Sequence, residues 1–329
     1  MKAVIMAGGM GTRLRPVCPG IPKPMAPLLG RPLMEHIILL LKNNGITDIC
    51  AALRYMPEAI TSYFGDGGRF GVNLQYRIER SPLGTAGSVK NCEEFFRGED
   101  VLVISGDAAC DFDLSRLARD HMSKAPAVTL ALYPHPEPLP YGLVLTDRSG
   151  RVVSFIEKPD WGRVVTDLVS TGIYIVSPRA VSLIPPDTEF DFAKDLFPLL
   201  MQKGETLRGI SMEGYWCDIG TPRAYYQCNL DALDGDLQII RDTGTVSSPG
   251  PFTRGIRCRD RARLMRALSE NLMEAGADFS DGLTLLDGET HLHIAPSPDS
   301  SAIMIEVSGR DAESTAVKYQ KLAESLIEK

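Results

Sequence analysis

The sequence predicts an α/β protein: a mainly parallel sheet covered by helices over about the first 240 residues, then a small α+β domain. Three observations predict it. Short apolar runs alternate with amphipathic stretches through the first half, the pattern of strands buried on both faces by crossover helices. A length of 329 residues with 44% hydrophobic and 23% charged side chains supplies core for two ordinary domains and excludes disorder, collagen and a coiled coil. A stretch rich in Gly, Ser, Thr and Pro, residues 242–255, then interrupts the pattern.

In chain order, the brief apolar runs at residues 3–6, 48–52, 73–77, 101–105, 127–132 and 173–176 predict strands. The amphipathic stretches at 33–43, 85–93 and 114–124 predict the helices between them. Residues 143–146 and 152–157 are strand-like runs joined by the turn-forming Asp147-Arg148-Ser149-Gly150, an antiparallel hairpin that makes the sheet mixed. A helix over 223–233 closes a first domain, residues 1–240; residues 241–255 are expected to be a linker, and 256–329 a second domain. That domain reads as helix 259–275, strands 283–286, 291–295 and 302–307, and helix 311–328, with no internal repeat anywhere in the chain.

Charge and composition narrow the function. Against 42 acidic side chains stand 35 basic ones, a net charge of −7, so no sequence-wide basic field exists for nucleic acid or an anionic membrane. The arginines at 254, 257, 259, 261, 263 and 266 lack interleaved aromatics and fit a solvated helix face or an interdomain contact. No apolar run reaches the ~20 residues of a bilayer span, and the N-terminus lacks a signal-peptide cleavage site. A cytoplasmic location is expected. Seven scattered cysteines without a Cys-x-x-Cys pair read as reduced thiols, not a zinc site. His291 and His293 share one face of a strand but have no third ligand in view.

The chemistry begins at Ala7-Gly8-Gly9-Met10-Gly11-Thr12-Arg13-Leu14, directly after the first strand. Glycines let the backbone approach a phosphate chain, amide N–H groups can point into the turn, and Arg13 offers a bidentate cation. An ordinary βα turn is an equally good reading of the glycines alone. The spacing is neither G-x-G-x-x-G nor that of a P-loop. In Pro22-Lys23-Pro24 two prolines restrict one lysine, lowering the entropy lost when it meets an anion. Asp107 ends the run Val101-Leu-Val-Ile-Ser105, at the carboxyl end of a strand where open α/β sheets bind ligands. Asp111 and Asp113 read as helix caps.

Taken together, Gly8-Gly9-Met10-Gly11-Thr12-Arg13-Leu14 followed by Pro22-Lys23-Pro24 resembles the signature of the sugar-1-phosphate nucleotidyltransferase family. Further matching motifs follow in family order: Pro82-Leu83-Gly84-Thr85-Ala86-Gly87, Ser105-Gly106-Asp107, Phe155-Ile156-Glu157-Lys158-Pro159, Thr171-Gly172-Ile173-Tyr174, and Trp216-Cys217-Asp218-Ile219-Gly220-Thr221-Pro222. The resemblance implies a Rossmann-like mixed, mainly parallel sheet and attack of a hexose 1-phosphate on the α-phosphorus of an NTP, releasing pyrophosphate. It assigns Arg13 and Lys23 to the triphosphate and the charge developing at the α-phosphorus, and Asp107 with Asp218 to Mg²⁺. It assigns Ala7, Gly8, Gly9, Gly11, Thr12, Leu83, Gly84 and Thr85 to the nucleotide. Lys158 takes the sugar phosphate, and Gly142, Glu157, Thr171 and Gly172 the sugar.

The tail resembles the last domain of phosphohexomutases at Leu264-Met265-Arg266-Ala267-Leu268, Asp281-Gly282-Leu283 and the closing strand and helix. Its counterpart of the mutase phosphate loop, Ala295-Pro296-Ser297-Pro298-Asp299-Ser300-Ser301, has no arginine and carries Pro298 in place of glycine, so mutase activity is not expected. That kinship, to proteins that fuse a nucleotidyltransferase to a mutase, favours mannose 1-phosphate, with glucose 1-phosphate next. The Leu83-Gly84-Thr85 loop weighs against dTTP without naming the base, and the main expectation is mannose 1-phosphate with GTP, giving GDP-mannose. Glucose-1-phosphate uridylyl- or adenylyltransfer and a non-catalytic nucleotide-sugar sensor are the alternatives. A homo-oligomer is expected, with the tail as the candidate assembly element.

Overall fold

The computed structural model describes residues 1–238, 252–257, 260–272, 283–287, 290–296, 302–308 and 312–327. The chain divides into two compact units, Met1–Arg241 and Asp242–Lys329.

The first unit is built on four parallel strands, β1 (Lys2–Ala7), β2 (Asp48–Leu53), β3 (Asn73–Ile78) and β4 (Val101–Ser105), in the spatial order β4-β1-β2-β3. Their near-continuous apolar runs follow from burial on both faces. Ala3, Ile5 and Ala7 of β1 share one core layer with Leu33, Met34, Ile37 and Ile38 of helix α1 (Leu33–Asn43), while Val4 enters the opposite layer with Ala86 and Val89 of helix α2 (Gly84–Asn91). Each such branched aliphatic side chain contributes about 1.5–3 kcal/mol by leaving water.

Beyond β4 the sheet turns antiparallel. The short β5 (Ala108–Cys110) leads to helix α3 (Leu114–Lys124), whose N-terminus Asp113 caps by accepting from the Arg116 N–H at 3.2 Å. Strands β6 (Val128–Pro134), β7 (Gly142–Thr146), β8 (Val152–Glu157) and β9 (Leu168–Val176) follow. β9 runs antiparallel to β4 on one side and to β6 on the other, and the hairpin β7–β8 extends the sheet through β7. With β10 (Leu207–Ser211) parallel to β6, the sheet has nine strands among the described residues. β11 (Trp216–Asp218) pairs antiparallel with β5, and helix α4 (Pro222–Asp234) follows.

β9 is longer than the run at 173–176 predicts because the sheet register shifts between Ser170 and Tyr174. The polar Thr171 and the Gly172 inside this irregularity interrupt the apolar sequence that betrays a strand. Asp111, expected as a helix cap, instead accepts from the Tyr215 N–H at 2.6 Å and the Gln238 N–H at 2.8 Å, tying distant segments together.

The second unit is an antiparallel sheet in the order β12-β15-β14-β13, formed by β12 (Phe252–Arg257), β13 (Leu283–Asp287), β14 (Thr290–Pro296) and β15 (Ala302–Ser308). Ile303, Ile305 and Val307 share its core with Leu264 and Leu268 of α5 (Arg261–Leu272) and Ala316 and Tyr319 of α6 (Ala312–Ile327). The expected linker, 241–255, is corrected at its end: residues 252–255 begin an edge strand paired with β15, disguised by Gly255 and its neighbouring arginines. His293 Nδ1 lies 3.1 Å from Thr284 Oγ1. Asp281-Gly282 and residues 297–301, which carry part of the tail's resemblance, lie outside the described residues. Among the described residues no helix is long and apolar enough to cross a membrane.

Candidate active site

Pro22-Lys23-Pro24 folds into one 3₁₀ turn, Lys23–Met25, closed by the Met25 N–H donating to Pro22 O at 2.8 Å and the Ala26 N–H to Lys23 O at 3.0 Å. The turn leaves Lys23 only 7% exposed. Its ammonium donates to Asp107 Oδ2 at 2.9 Å and to Asp218 Oδ1 at 2.6 Å. Gly11 packs on the same lysine: at φ +56° it needs the left-handed region, and a Cβ there would stand 2.7 Å from Lys23 Cβ. The glycine-rich loop and the Pro-Lys-Pro turn are therefore one local structure.

The two aspartates meet because β11 pairs with β5 in a register that sets Asp218 opposite Ala108, the residue after Asp107. Thr221 then caps α4 by accepting from the Ala224 N–H at 3.2 Å, with Pro222 in the first turn, which fixes the exit from Asp218. On the other side, the Ser105 hydroxyl donates to Asp107 Oδ1. Burial opposes ionisation of Asp107, but Lys23 and Ser105 outweigh it and hold the carboxyl below its ordinary range. Burial likewise opposes the Lys23 charge, and the two carboxylates outweigh it, raising the ammonium above the usual lysine value. Arg13 reaches the same place: a Cβ built on Gly220 would lie 2.9 Å from Asp218 Oδ2 and 3.0 Å from Arg13 Nη2.

A cavity of about 310 Å³ opens beside this cluster, its wall including Asp107, Asp218, Thr85, Gly142, Glu157, Thr171 and Gly172. The irregularity in β9 shapes one side. Thr171 Oγ1 donates to Ala131 O at 2.8 Å, Trp216 Nε1 donates to Thr171 O at 3.2 Å, and Gly172 adopts φ +77°. Glu157 ends β8 against Gly142, where an added Cβ would stand 2.9 Å from Glu157 Oε2. Burial pushes the Glu157 carboxyl up, partly offset by Lys158. Lys158 is not part of the cavity wall; its backbone takes φ +42°, a costly conformation for a non-glycine residue.

Leu83 is buried, and Gly84 approaches Phe190 so closely that a Cβ would fall 2.6 Å from Phe190 O. Of Leu83, Gly84 and Thr85, only Thr85 reaches the cavity wall, and its hydroxyl is a latch: it donates to Asp191 Oδ2 at 2.8 Å and accepts from the Phe192 N–H at 2.9 Å. Thr85→Val is expected to lower stability by about 1 kcal/mol, the low end for two lost hydrogen bonds at a partly solvated site, checked by urea unfolding. No motif in the sequence points to Asp191. Asp191 also accepts from the Ala193 N–H at 2.9 Å, a turn-capping pattern legible as Asp before an apolar run.

Asp107 and Asp218 suit a hard divalent cation: two acceptor-only carboxylates already converge on one positive charge, and both side chains keep access to solvent. No cluster of three metal-type ligands occurs among the described residues, so phosphate oxygens and water must complete such a site.

Known proteins resemble this chain over most of its length. A UTP–glucose-1-phosphate uridylyltransferase of Synechocystis sp. is 33% identical, over 98% of this chain and 84% of its own length. A mannose-1-phosphate guanylyltransferase of Mycobacterium tuberculosis is 32% identical, over 88% of this chain and 74% of its own. The solved structure of HddC from Yersinia pseudotuberculosis complexed with GMP-PN matches 70% of this chain and 99% of its own with a TM-score of 0.61 at 28% identity. The family model for nucleotidyl transferase matches residues 2–235. With that match spanning the whole lysine–dicarboxylate site, the chain belongs to the nucleotidyl transferase family, as a sugar-1-phosphate nucleotidyltransferase.

Proposed function

We propose that the chain transfers the guanylyl group of GTP to mannose 1-phosphate, giving GDP-mannose and pyrophosphate with Mg²⁺ bound. The observation that carries the reaction is the ammonium of Lys23 held between Asp107 and Asp218 at one end of the cavity that Glu157 enters.

The sugar phosphate needs no general base. Its second pKa is about 6, so the attacking oxygen is already anionic at neutral pH. The barrier lies in bringing two polyanions together and stabilising the departing pyrophosphate, work for fixed cations. Arg13 and Lys23 supply those cations beside the glycine-rich loop, whose residues Ala7, Gly8, Gly9, Gly11 and Thr12 take the triphosphate. Asp107 and Asp218 are the residues that hold Mg²⁺, which supplies charge neutralisation on the phosphates when bound. Glu157 accepts from sugar hydroxyls, with Gly142, Thr171 and Gly172 shaping the pocket, and Lys158 binds the sugar phosphate.

Lys158→Ala is expected to raise KM for mannose 1-phosphate about tenfold and KM for GTP less than twofold, in line with loss of one charge-assisted contact. Steady-state kinetics in both substrates read this directly, and the reverse pattern removes the assignment.

Support for guanine comes from the guanylyltransferase relative and the GMP-PN complex of HddC. A second reading, uridylyl transfer to glucose 1-phosphate, is favoured by the relative matched over nearly the whole chain. Incubating the protein with an equimolar mixture of GTP, UTP, ATP and dTTP plus mannose and glucose 1-phosphates, then identifying the product by mass, decides between them. GDP-mannose supports the proposal, and UDP-glucose replaces it with the second reading.

A further inference from the structure

A second cavity, of about 380 Å³, lies at the end of the sheet opposite the lysine–dicarboxylate cluster. β4 has Asp107 just past its carboxyl end and Asp100 just before its first residue. β9 pairs with it so that Val176 stands opposite Val101, and Ser177 follows Val176. This register sets Asp100 and Ser177 at one end of the two strands and Asp107 at the other. α3 adds His121 and Met122 to the cavity wall, and the turns after α3 and β9 add Pro126, Pro178 and Arg179. The wall shares no residue with the catalytic cavity.

Ser177 is 6% exposed, and among the described residues its hydroxyl has no hydrogen-bond partner. It stands in the capping position before Pro178 yet makes no capping bond. A buried hydroxyl without a partner is retained at a cost, which a ligand's hydrogen-bonding group removes. Asp100 keeps acceptor capacity, because its contact with His121 Nε2 at 3.7 Å is longer than a hydrogen bond. Arg179 donates from Nη2 to Ala125 O at 2.7 Å and sets Nε 3.2 Å from Glu205 Oε2, which leaves Nη1 uncommitted among the described residues. His121 brings no charge at neutral pH: its Nδ1 lies 2.8 Å from Thr129 Oγ1, and burial lowers its pKa against the pull of Asp100.

We propose that this cavity is a second ligand site, taking a neutral polyhydroxyl ring, an unphosphorylated hexose. The charges on its wall decide against an ion. An anion meets Asp100, and the guanidinium that could offset the repulsion is already paired with Glu205; a cation meets Arg179. A hydroxyl suits both groups, since it donates to Asp100 and accepts from Arg179 or Ser177. Pro126, Pro178 and the side chain of Met122 supply apolar surface for the C–H face of a pyranose. The volume falls in the range of small-molecule sites, about 300–1,000 Å³.

Met122 is 63% exposed on the cavity wall and serves as a local reporter. The full chain, labelled with ¹³C-methyl methionine, is titrated with D-mannose, D-glucose, glycerol and inorganic sulfate, and the Met122 signal is identified by its loss in Met122→Leu. A saturable shift with at least one hexose is expected, at a Kd of about 1–10 mM, the scale for so small a ligand. Ser177→Ala is expected to weaken that Kd about fivefold, as for one neutral hydrogen bond, and Asp100→Asn about tenfold or more, as for one to a charged group. Ser177→Ala is also expected to leave Tm unchanged or raised, because it removes a buried hydroxyl that has no partner. A Met122 signal that hexoses do not move saturably, or move no more tightly than glycerol does, overturns the assignment. Saturation by sulfate alone overturns it in favour of an anion site. An unchanged hexose Kd in folded Ser177→Ala and Asp100→Asn also overturns it, by placing the sugar elsewhere, the catalytic cavity included. Because Ser177→Ala removes no contact of the folded protein, it decides alone if Asp100→Asn does not fold.

Discussion

Asp107→Asn is expected to lower kcat by at least about a hundredfold, and Asp218→Asn by a comparable factor, with the folded structure retained. The amide keeps the size of the carboxylate and loses its charge. Each carboxylate contacts the Lys23 ammonium, and each is a donor for Mg²⁺, so either substitution removes half of the acidic pair. Because the two act on one centre, the double variant is expected to be little worse than either single one. Near-normal turnover in a folded variant, verified by circular dichroism and Tm, removes the metal assignment.

Lys23→Met is expected to abolish most turnover and also to weaken the fold, which separates it from the aspartate variants. It leaves two carboxylates facing each other without the ammonium that both contact. Removing one member of a fully buried ion pair costs about 3–5 kcal/mol, and the cost here is smaller because the carboxylates are 37% and 27% exposed. The pH dependence has a definite sign. The lowered Asp107 pKa contributes stability that is present above its ordinary value of 3.8 and is lost as pH falls through the depressed value. The raised Lys23 pKa contributes stability that is present below its ordinary 10.5 and is lost as pH rises through the elevated value. Lys23→Met is expected to flatten both edges of the stability profile measured by urea unfolding. Added Mg²⁺ is expected to restore part of the lost stability, because it replaces the missing positive charge.

The fold was most legible where burial is two-sided. The run Val101-Leu-Val-Ile-Ser105 is a strand at the bounds its apolarity suggests, and Leu33–Asn43 and Leu114–Lys124 are helices over the expected residues. Legibility failed where tertiary pairing, not local pattern, makes the element. β5 and β11 have three residues each, too few to show a period, yet their pairing is what sets Asp218 beside Asp107. In the sequence, only the family resemblance brings those two residues together. Glu79 is illegible for a related reason: a glutamate after a strand has the pattern of a solvated charge, yet this one is buried. Lys158 marks the opposite case, a residue named from its motif whose strained backbone no sequence pattern announces. Thr85 was expected beside the nucleotide, and the structure adds a latch to Asp191 that is 106 residues distant in sequence.

The most direct test of the lysine–dicarboxylate cleft as the centre of guanylyl transfer is pyrophosphate release across a grid of NTPs and hexose 1-phosphates, with Mg²⁺ and with EDTA. The expected result is release with GTP and mannose 1-phosphate, abolished by EDTA and by Asp107→Asn. Undiminished release in EDTA, or in the folded Asp107→Asn protein, contradicts that account.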